Sequence, residues 1–311
     1  MMKYQLAYHS LAGGRATNQD RVVCVERDGA VLLILADGLG GHEGGALAAE
    51  TLTQTVQHAF EAVRQPTIGK PSAFLALSIM QAHKAVVARG NSMVPPLTPR
   101  TTCVLCLVQN GYAYWAHVGD SRLYHFRKNM LLRRTHDHTV TEQMHLDGLL
   151  SEEEMTRHPE KARLLKAVGG PRTPSITLGE ETLLQRGDTL LLCTDGLWEA
   201  LAAEELAGFL GYSLLEEGVE EMLLSAENRM KQKADNLSAI GFRWEDEATR
   251  ALPLQAQGAK EADHRSLLEE PRLRAATRKT QTQKPPKDEA RNSLEAKIDE
   301  LEAFLARFEK H

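Results

Sequence analysis

The chain has 311 residues, of which 42% are hydrophobic and 25% are charged, so it can bury a sizeable core and is not globally disordered. Its 37 Lys and Arg against 42 Asp and Glu give a formal net charge of −5, which argues against a nucleic-acid binder. Four Cys in a chain of this length do not make a disulfide framework. No apolar run is long enough for a membrane span and residues 1–9 lack a signal-peptide segment, so we expect a cytoplasmic protein with reduced thiols.

Residues 1–244 predict a fold that begins with strands and has helices inserted between hairpins. In chain order, the apolar patterns predict strands at Tyr4–Ser10, Arg21–Arg27 and Val31–Ala36, helices at Ala46–Arg64 and Ser72–Arg89, strands at Thr101–Gln109, Tyr112–Val118, Ser121–Phe126 and Met130–Arg133, short helices at His138–Asp147 and Ser151–Arg157, a strand at Thr189–Cys193, helices at Glu204–Leu210 and Glu216–Lys231, and a last strand at Leu237–Trp244. Asn110-Gly111 and the residues around Lys128 predict hairpin turns. This order predicts an α+β fold in which helices cover antiparallel sheets.

The composition changes near residue 245. From Glu245 onward 27 of 67 residues are charged, against 52 of the preceding 244. The range 245–291 has no aromatic residue, Val or Ile, which predicts a flexible charged linker. In 292–311 the apolar residues are spaced four and three apart and predict an amphipathic helix with a heptad seam of Leu294, Ile298, Leu301, Leu305 and Phe308. This helix either docks on its own domain or mediates self-association or partner docking.

Four aspartates lie at the ends of predicted apolar strands. Asp37, Asp120 and Asp195 each follow a strand, and Asp235 precedes the last one. A carboxylate at such a position is partly desolvated and is costly unless a positive group pairs with it, and few basic residues are close in sequence. Any one of these aspartates could simply cap a turn or helix. Four of them together favour hard divalent cations with oxygen ligands.

A glycine-rich turn follows the first of these aspartates, in the run Asp37-Gly38-Leu39-Gly40-Gly41-His42. Glycines allow the backbone to approach a ligand closely and expose its carbonyl groups. A dinucleotide-binding loop is the competing interpretation. It fits poorly, because the run does not match G-x-G-x-x-G followed by an acid about twenty residues later.

Five motifs occur in an order and spacing that resemble the metal-dependent serine/threonine protein phosphatases of type 2C, in their bacterial form. They are Arg15-Ala16-Thr17-Asn18-Gln19-Asp20, Asp37-Gly38-Leu39-Gly40-Gly41-His42, Gly119-Asp120-Ser121-Arg122, Thr194-Asp195-Gly196-Leu197-Trp198 and Asp235-Asn236-Leu237-Ser238. The resemblance covers residues 1–244 and implies a catalytic domain there, with two stacked antiparallel sheets flanked by helices. The segments 245–291 and 292–311 lie outside it.

The resemblance implies two Mn²⁺ or Mg²⁺ ions at one end of this sandwich. By position, Asp37 would bridge the ions and the Gly38 carbonyl would bind one of them, while Asp195 and Asp235 would hold the other. Asp120 matches a weaker, third metal position. A hydroxide shared by two ions would attack the phosphorus of phosphoserine or phosphothreonine in a protein, without a covalent enzyme intermediate. The expected partners are phosphorylated proteins and the Ser/Thr kinase that this enzyme opposes.

Four other residues have roles implied by the same resemblance. Arg15 matches the phosphate-binding arginine, whose planar guanidinium can orient the ester. Asp20 would lie in or just behind the metal shell. His42 is a candidate for the acid that protonates the leaving oxygen, with a metal-bound water as the alternative. Gln19 stands where many relatives have Glu, and a neutral amide is a weaker ligand for a hard cation, so we expect a high metal requirement.

Two other functions remain open on the sequence. One is a pseudophosphatase that binds phosphoproteins through Arg15 and the C-terminal tail without turnover, although the acidic positions are filled. The other is a partner-switching phosphatase with a small regulatory protein as its substrate. Metal-dependent phosphate release distinguishes the first of these from an enzyme.

Overall fold

The computed structural model describes residues 2–40, 44–161 and 163–247. Among them the strands are β1 (Tyr4–Leu11), β2 (Arg21–Arg27), β3 (Ala30–Ala36), β4 (Gly38–Leu39), β5 (Arg100–Thr101), β6 (Cys103–Gln109), β7 (Tyr112–Val118), β8 (Arg122–Arg127), β9 (Met130–Arg134), β10 (Val168–Gly169), β11 (Thr177–Leu178), β12 (Thr182–Leu183), β13 (Thr189–Cys193) and β14 (Leu237–Trp244). The helices are α1 (Gly44–Glu61), α2 (Pro71–Asn91), α3 (Val140–Leu146), α4 (Glu152–Arg157), α5 (Asp195–Trp198), α6 (Ala203–Phe209) and α7 (Leu215–Met230).

The long strands form two antiparallel sheets. One has the order β1-β14-β13-β8-β9, and the other has the order β11-β7-β6-β3-β2, with β12 also paired to β7. A small third sheet has the order β10-β5-β4. Strands that are distant in the sequence are therefore neighbours, and β1 pairs with β14 along its whole length.

The central strand β3 shows why the sheets stack. All seven of its residues are buried, as in a strand that is covered on both faces. Leu32 and Ile34 point to a cluster formed with α1 and α2, whereas Val31 and Leu33 point to the cluster between the two sheets. Alternation along a strand thus supplies two separate cores from one short segment.

The second sheet repeats this arrangement. Leu191 of β13 packs towards α6 and α7, whereas Leu190 packs between the sheets. Cys103 and Cys106, three residues apart on β6, lie in the helix-facing and inter-sheet clusters respectively, and both are free thiols. The four layers are helices, sheet, sheet and helices, which confirms the predicted α+β sandwich.

Most predicted boundaries agree with the structure within one to three residues, and both hairpin turns are present. Asn110 and Gly111 have φ of 53° and 77°, and Lys128 and Asn129 have φ of 52° and 59°, as in type I′ turns. The predicted strand Thr101–Gln109 is divided into β5 and β6. The predicted linker from residue 248 onward and the terminal helix lie outside the described residues. No helix among the described residues has the length and apolar character needed to cross a membrane.

Candidate active site

The aspartates predicted as metal ligands lie at strand ends, and the fold brings them to one end of the sandwich. Asp37 follows β3, and Asp120 follows β7, which runs parallel to β3 on the other side of β6. Asp195 follows β13 and Asp235 precedes β14, and these two antiparallel strands are adjacent. Asp20 lies immediately before β2. Asp20 and Asp120 are buried, with 3% and 5% of their surface exposed, and the other three are partly exposed above them.

Burial raises the pKa of four of these carboxyl groups, and repulsion between neighbouring carboxylates adds to it. Burial, followed by the charges of Asp195, Asp20 and Asp120, raises the pKa of Asp37 well above its ordinary value. Burial and the charges of Asp120 and Asp235 do the same to the pKa of Asp195. Burial also raises the pKa of Asp20 to about 6 and that of Asp120 to about 7. This end of the molecule therefore carries more negative charge than its own cations offset.

Asp20 supplies a specific sign of a missing positive partner. Its Oδ2 accepts hydrogen bonds from Thr194 Oγ1 at 2.9 Å and from Ser238 Oγ at 2.7 Å. Its Oδ1 is buried and, among the described residues, receives no hydrogen bond from an N–H or hydroxyl group, and the Asp37 carboxyl lies within hydrogen-bonding reach of Asp20. An anionic oxygen left in this state is costly, and a divalent cation among these carboxylates would offset the cost. The donor set, entirely oxygen, fits Mn²⁺ or Mg²⁺.

Asp235 differs from the other carboxylates because it has a cationic partner. Arg15 donates to it through Nε at 2.9 Å and Nη2 at 2.6 Å, in a pair that is largely exposed. Few basic residues are close to the four strand-end aspartates in the sequence, but Arg15, 220 positions away, folds against Asp235. In the described part of the chain no three His, Cys, Asp or Glu side chains are already grouped as ligands of one metal ion.

The backbone at Asp37 is held by the strand that crosses it. The Asp37 carbonyl accepts from Thr102 N and Thr101 Oγ1, both at 2.8 Å, and Asp37 N donates to Thr102 Oγ1 at 3.0 Å. A Cβ on Gly38 would lie 2.3 Å from the Gly45 carbonyl oxygen, so the start of α1 requires glycine here. His42, predicted as a proton donor, lies outside the described residues.

Asn236 joins the two segments that carry Arg15 and Asp235. Its Oδ1 accepts from Gln19 N at 2.9 Å, and its Nδ2 donates to the carbonyls of Ala12 and Thr17 at 2.9 and 3.0 Å. Asn236, Thr194 and Ser238 occur within the sequence motifs, but no role was predicted for them. The available signal was that these small polar residues lie within three positions of Asp195 or Asp235, since polar side chains near buried carboxylates commonly form hydrogen bonds there.

A second network positions Asp120. Trp198 Nε1 donates to the Asp120 carbonyl at 3.0 Å, and the guanidinium of Arg122 lies 3.5 Å above the Trp198 ring. Arg122 in turn holds Asp137 through bonds of 2.9 and 2.7 Å. His138 Nδ1 accepts from the backbone amide just before Asp120, at 3.1 Å, and burial lowers the pKa of His138 to about 3. The segment after β9 is thus fastened directly to the candidate site.

Comparisons with known proteins agree with this geometry. The family model described as protein phosphatase 2C matches residues 10–238. The serine/threonine phosphatase Stp of Listeria monocytogenes is 28% identical over 213 residues, which cover 67% of this chain and 77% of that protein. The serine/threonine phosphatase of S. agalactiae has a similar structure, with a TM-score of 0.71 and 26% identity over 78% of this chain and all of that one. The catalytic domain of PstP in complex with two manganese ions gives a TM-score of 0.66 and 26% identity over 79% of this chain and all of that one. The chain therefore belongs to the protein phosphatase 2C family of metal-dependent serine/threonine phosphatases.

Proposed function

We propose that this chain hydrolyses phosphoserine and phosphothreonine in proteins, with Mn²⁺ or Mg²⁺ held at the carboxylate end of the sandwich. The observation that carries the proposal is the convergence of five aspartates, four of which have a raised pKa. Structural carboxylates in folded proteins are normally paired or hydrogen-bonded. A group of them that repel one another fits a site for divalent cations far better than a structural role.

Specific residues of this chain would hold the ions. Asp37, the carbonyl of Gly38, Asp195 and Asp235 are the proposed ligands of two ions, and Asp120 adds a third, weaker position. Asp20, buried and bonded to Thr194 and Ser238, supports this shell from behind. Ions bound there supply Lewis-acid activation of water for attack on the phosphate ester.

Arg15 is proposed to exchange one anionic partner for another. In the structure its guanidinium is bound to Asp235, which the proposal assigns to the metal. If Asp235 held a cation, its bonds to Arg15 would be released, and the planar guanidinium could bind two oxygens of the substrate phosphate. The pair is exposed, so this exchange involves little desolvation. Arg15 would then orient the ester for in-line attack.

The cellular setting is part of the same proposal. We infer that the chain acts in the cytoplasm and removes phosphate placed by a Ser/Thr kinase. Mn²⁺ and Mg²⁺ both fit the oxygen donors. The proton donor to the leaving oxygen stays a prediction on His42, with water as the alternative. The segments 245–291 and 292–311 are proposed to tether the domain and dock it to a partner or a second copy.

The deciding experiment measures phosphate release together with metal content. We expect the full chain with millimolar Mn²⁺ to hydrolyse an aryl phosphate and phosphothreonine peptides, and to lose both activities with a chelator. Calorimetric titration with Mn²⁺ should show binding that is weakened in Asp37→Asn. If the protein binds phosphopeptides and Mn²⁺ but releases no phosphate, the binding-module interpretation replaces this one.

A further inference from the structure

A groove of about 490 Å³ lies next to the candidate active site, and the charged residues that line it are all basic. They are Arg100, Lys166 and Arg172, and we name this feature the basic groove. Leu39 and Leu165 add apolar surface, and Leu165 is 53% exposed. A concentration of positive charge is informative on a chain whose net charge is −5.

The basic groove is connected to the metal end by the small sheet β10-β5-β4. Arg100 of β5 is paired with Leu39 of β4 on one side and with Gly169 of β10 on the other. Leu39 is two residues from Asp37, whose carbonyl is bonded to Thr102, the residue after β5. Two residues of extended chain span about 7 Å, so the groove begins immediately beside the proposed reaction centre.

The three cations of the basic groove are available for a ligand. Within the described part of the chain, no carboxylate oxygen lies within 4.0 Å of Arg100, Lys166 or Arg172, whereas the nearby Lys161 and Arg163 are each paired with a glutamate. Arg100 and Arg172 are exposed, and Lys166 is half-buried. Cations without an internal partner attract anions without first breaking an ion pair.

The position of the basic groove indicates what lies in it. A phosphorylated side chain at the metal centre carries a polypeptide on both sides, and one of these flanks can run past Leu39, which is two residues from Asp37 and lines the groove. Aliphatic stems of that flank can contact Leu39 and Leu165, and its acidic side chains can reach the cations. We propose that the basic groove binds an acidic segment flanking the phosphorylated residue, so that this chain prefers phosphoprotein substrates with Asp or Glu beside the phosphosite. This inference rests on the proposed phosphatase function and assigns its substrate class.

The expected effect is moderate, because the contacts are exposed to solvent. Three such charge contacts correspond to about a fivefold to tenfold difference in kcat/KM. Screening by salt should reduce it, since the Debye length falls from about 10 Å at 0.1 M to about 3 Å at 1 M.

The test uses the full chain with Mn²⁺ and two phosphothreonine peptides of equal length. One has Asp and Glu on both flanks, and the other has Asn and Gln at the same positions. Wild-type protein should prefer the acidic peptide, and the variant R100Q/K166Q/R172Q should bring the ratio of the two kcat/KM values close to one. A general loss of catalytic power cancels in this ratio. The matched control K3Q/R64Q/R186Q removes three exposed cations at the opposite end of the sandwich and should keep the wild-type ratio.

Charge reversal gives a second, independent readout. The variant K166E/R172E should prefer a peptide with Lys flanks over the acidic one. If a multiple variant fails to fold, the single variant Arg172→Gln should still lower the preference for the acidic peptide. Equal kcat/KM values for the acidic and neutral peptides in wild-type protein would overturn the groove assignment alone. An unchanged ratio in R100Q/K166Q/R172Q would do the same. Absence of phosphate release from both peptides and from an aryl phosphate would overturn the phosphatase function as well.

Discussion

The two ends of β13 each present an aspartate, and the two carboxyl groups lie in opposite electrostatic surroundings. Asp188, just before the strand, is fully buried and is held by Arg127 through bonds of 2.8 and 2.7 Å, with Gln185 N also donating to it. Asp195, just after the strand and roughly 20 Å away, faces other carboxylates. Both are parts of one rigid element in one core.

The pKa values show the consequence of this difference. Burial alone would raise the pKa of Asp188, but Arg127, together with His125 and the Gln185 amide, lowers it to about 2. Burial and neighbouring aspartates raise the pKa of Asp195. The carboxylate before β13 stabilises the fold, whereas the carboxylate after it destabilises the fold unless a cation is bound. A charged group that the fold leaves unsatisfied is a good marker of function.

The largest expected effect comes from neutralising Asp195, the aspartate after β13 that faces other carboxylates. Asp195→Asn should lower kcat/KM by about 10³-fold or more, because a proposed ligand of the ions is lost. In a chelator the same variant should be more stable than wild type, since one repelling charge has been removed. Denaturant unfolding followed by Trp fluorescence measures this. Lower stability of Asp195→Asn than of wild type in chelator would show that repulsion between Asp195 and its neighbouring carboxylates does not destabilise the fold.

Neutralising Asp188, the aspartate before β13, should instead lower stability and leave kcat nearly unchanged. Asp188→Asn leaves Arg127 without its partner and should lower the free energy of unfolding by about 3 kcal/mol. At 25 °C the folded variant should keep a kcat close to that of wild type. Comparison of unfolding curves and kcat values for Asp188→Asn and Asp195→Asn tests the contrast directly. A strong loss of kcat in Asp188→Asn would mean that the two ends of β13 are not independent.

Arg127 and Arg15, which each bind one of the strand-end aspartates, show a similar contrast with a smaller expected effect. Arg127 is committed to Asp188, whereas Arg15 is proposed to leave Asp235. Arg15→Gln should raise KM for a phosphopeptide about tenfold. It should also tighten Mn²⁺ binding measured by calorimetry, because Asp235 no longer has a competing partner. Weaker Mn²⁺ binding in Arg15→Gln would contradict the exchange of partners.

The pH dependence of the free energy of unfolding should be the smallest of these effects. Its sign should differ between the aspartates at the candidate site and Asp188. The pKa values of Asp20 and Asp120 are raised to about 6 and about 7 from 3.8. Between about pH 4 and pH 7 the folded protein in chelator therefore holds more protons than the unfolded chain, and its free energy of unfolding should fall as the pH rises. The contribution of Asp188 is instead present above pH 3.8 and is lost as the pH falls through about 2. Unfolding measured at several pH values should show a flatter slope for Asp120→Asn.

Long, regular elements could be predicted from the sequence with good accuracy. The limits of β2, β7, β13 and β14 agree with the prediction, because apolar patterns of five to eight residues are bounded by turns or charged residues. The two-residue strands β4, β10, β11 and β12 were not predicted, and β5 was not separated from β6. A two-residue strand is too short to show an alternation of apolar and polar residues, and its pairing depends on segments that are distant in the chain.

The site was predictable in its residue types but not in its pairings. The position of Asp37 after an apolar strand indicated a desolvated carboxylate, and the structure places it beside four others. The bond from Arg15 to Asp235 and the clamp by Asn236 join segments about 220 residues apart, and no local pattern encodes them. Likewise, the basic groove draws Arg100 and Lys166 from separate segments that meet only through β5 and β10.

The pairing of β1 with β14 fixes where the folded unit can be joined to other polypeptides. Tyr4 lies opposite Trp244, and the aspartates lie at the other end of the same strands. A fluorescent protein or an affinity tag fused after Glu247 would emerge on the side away from the candidate active site, next to the first strand. The two termini of the domain are close enough for a circularly permuted version in which a short peptide joins them.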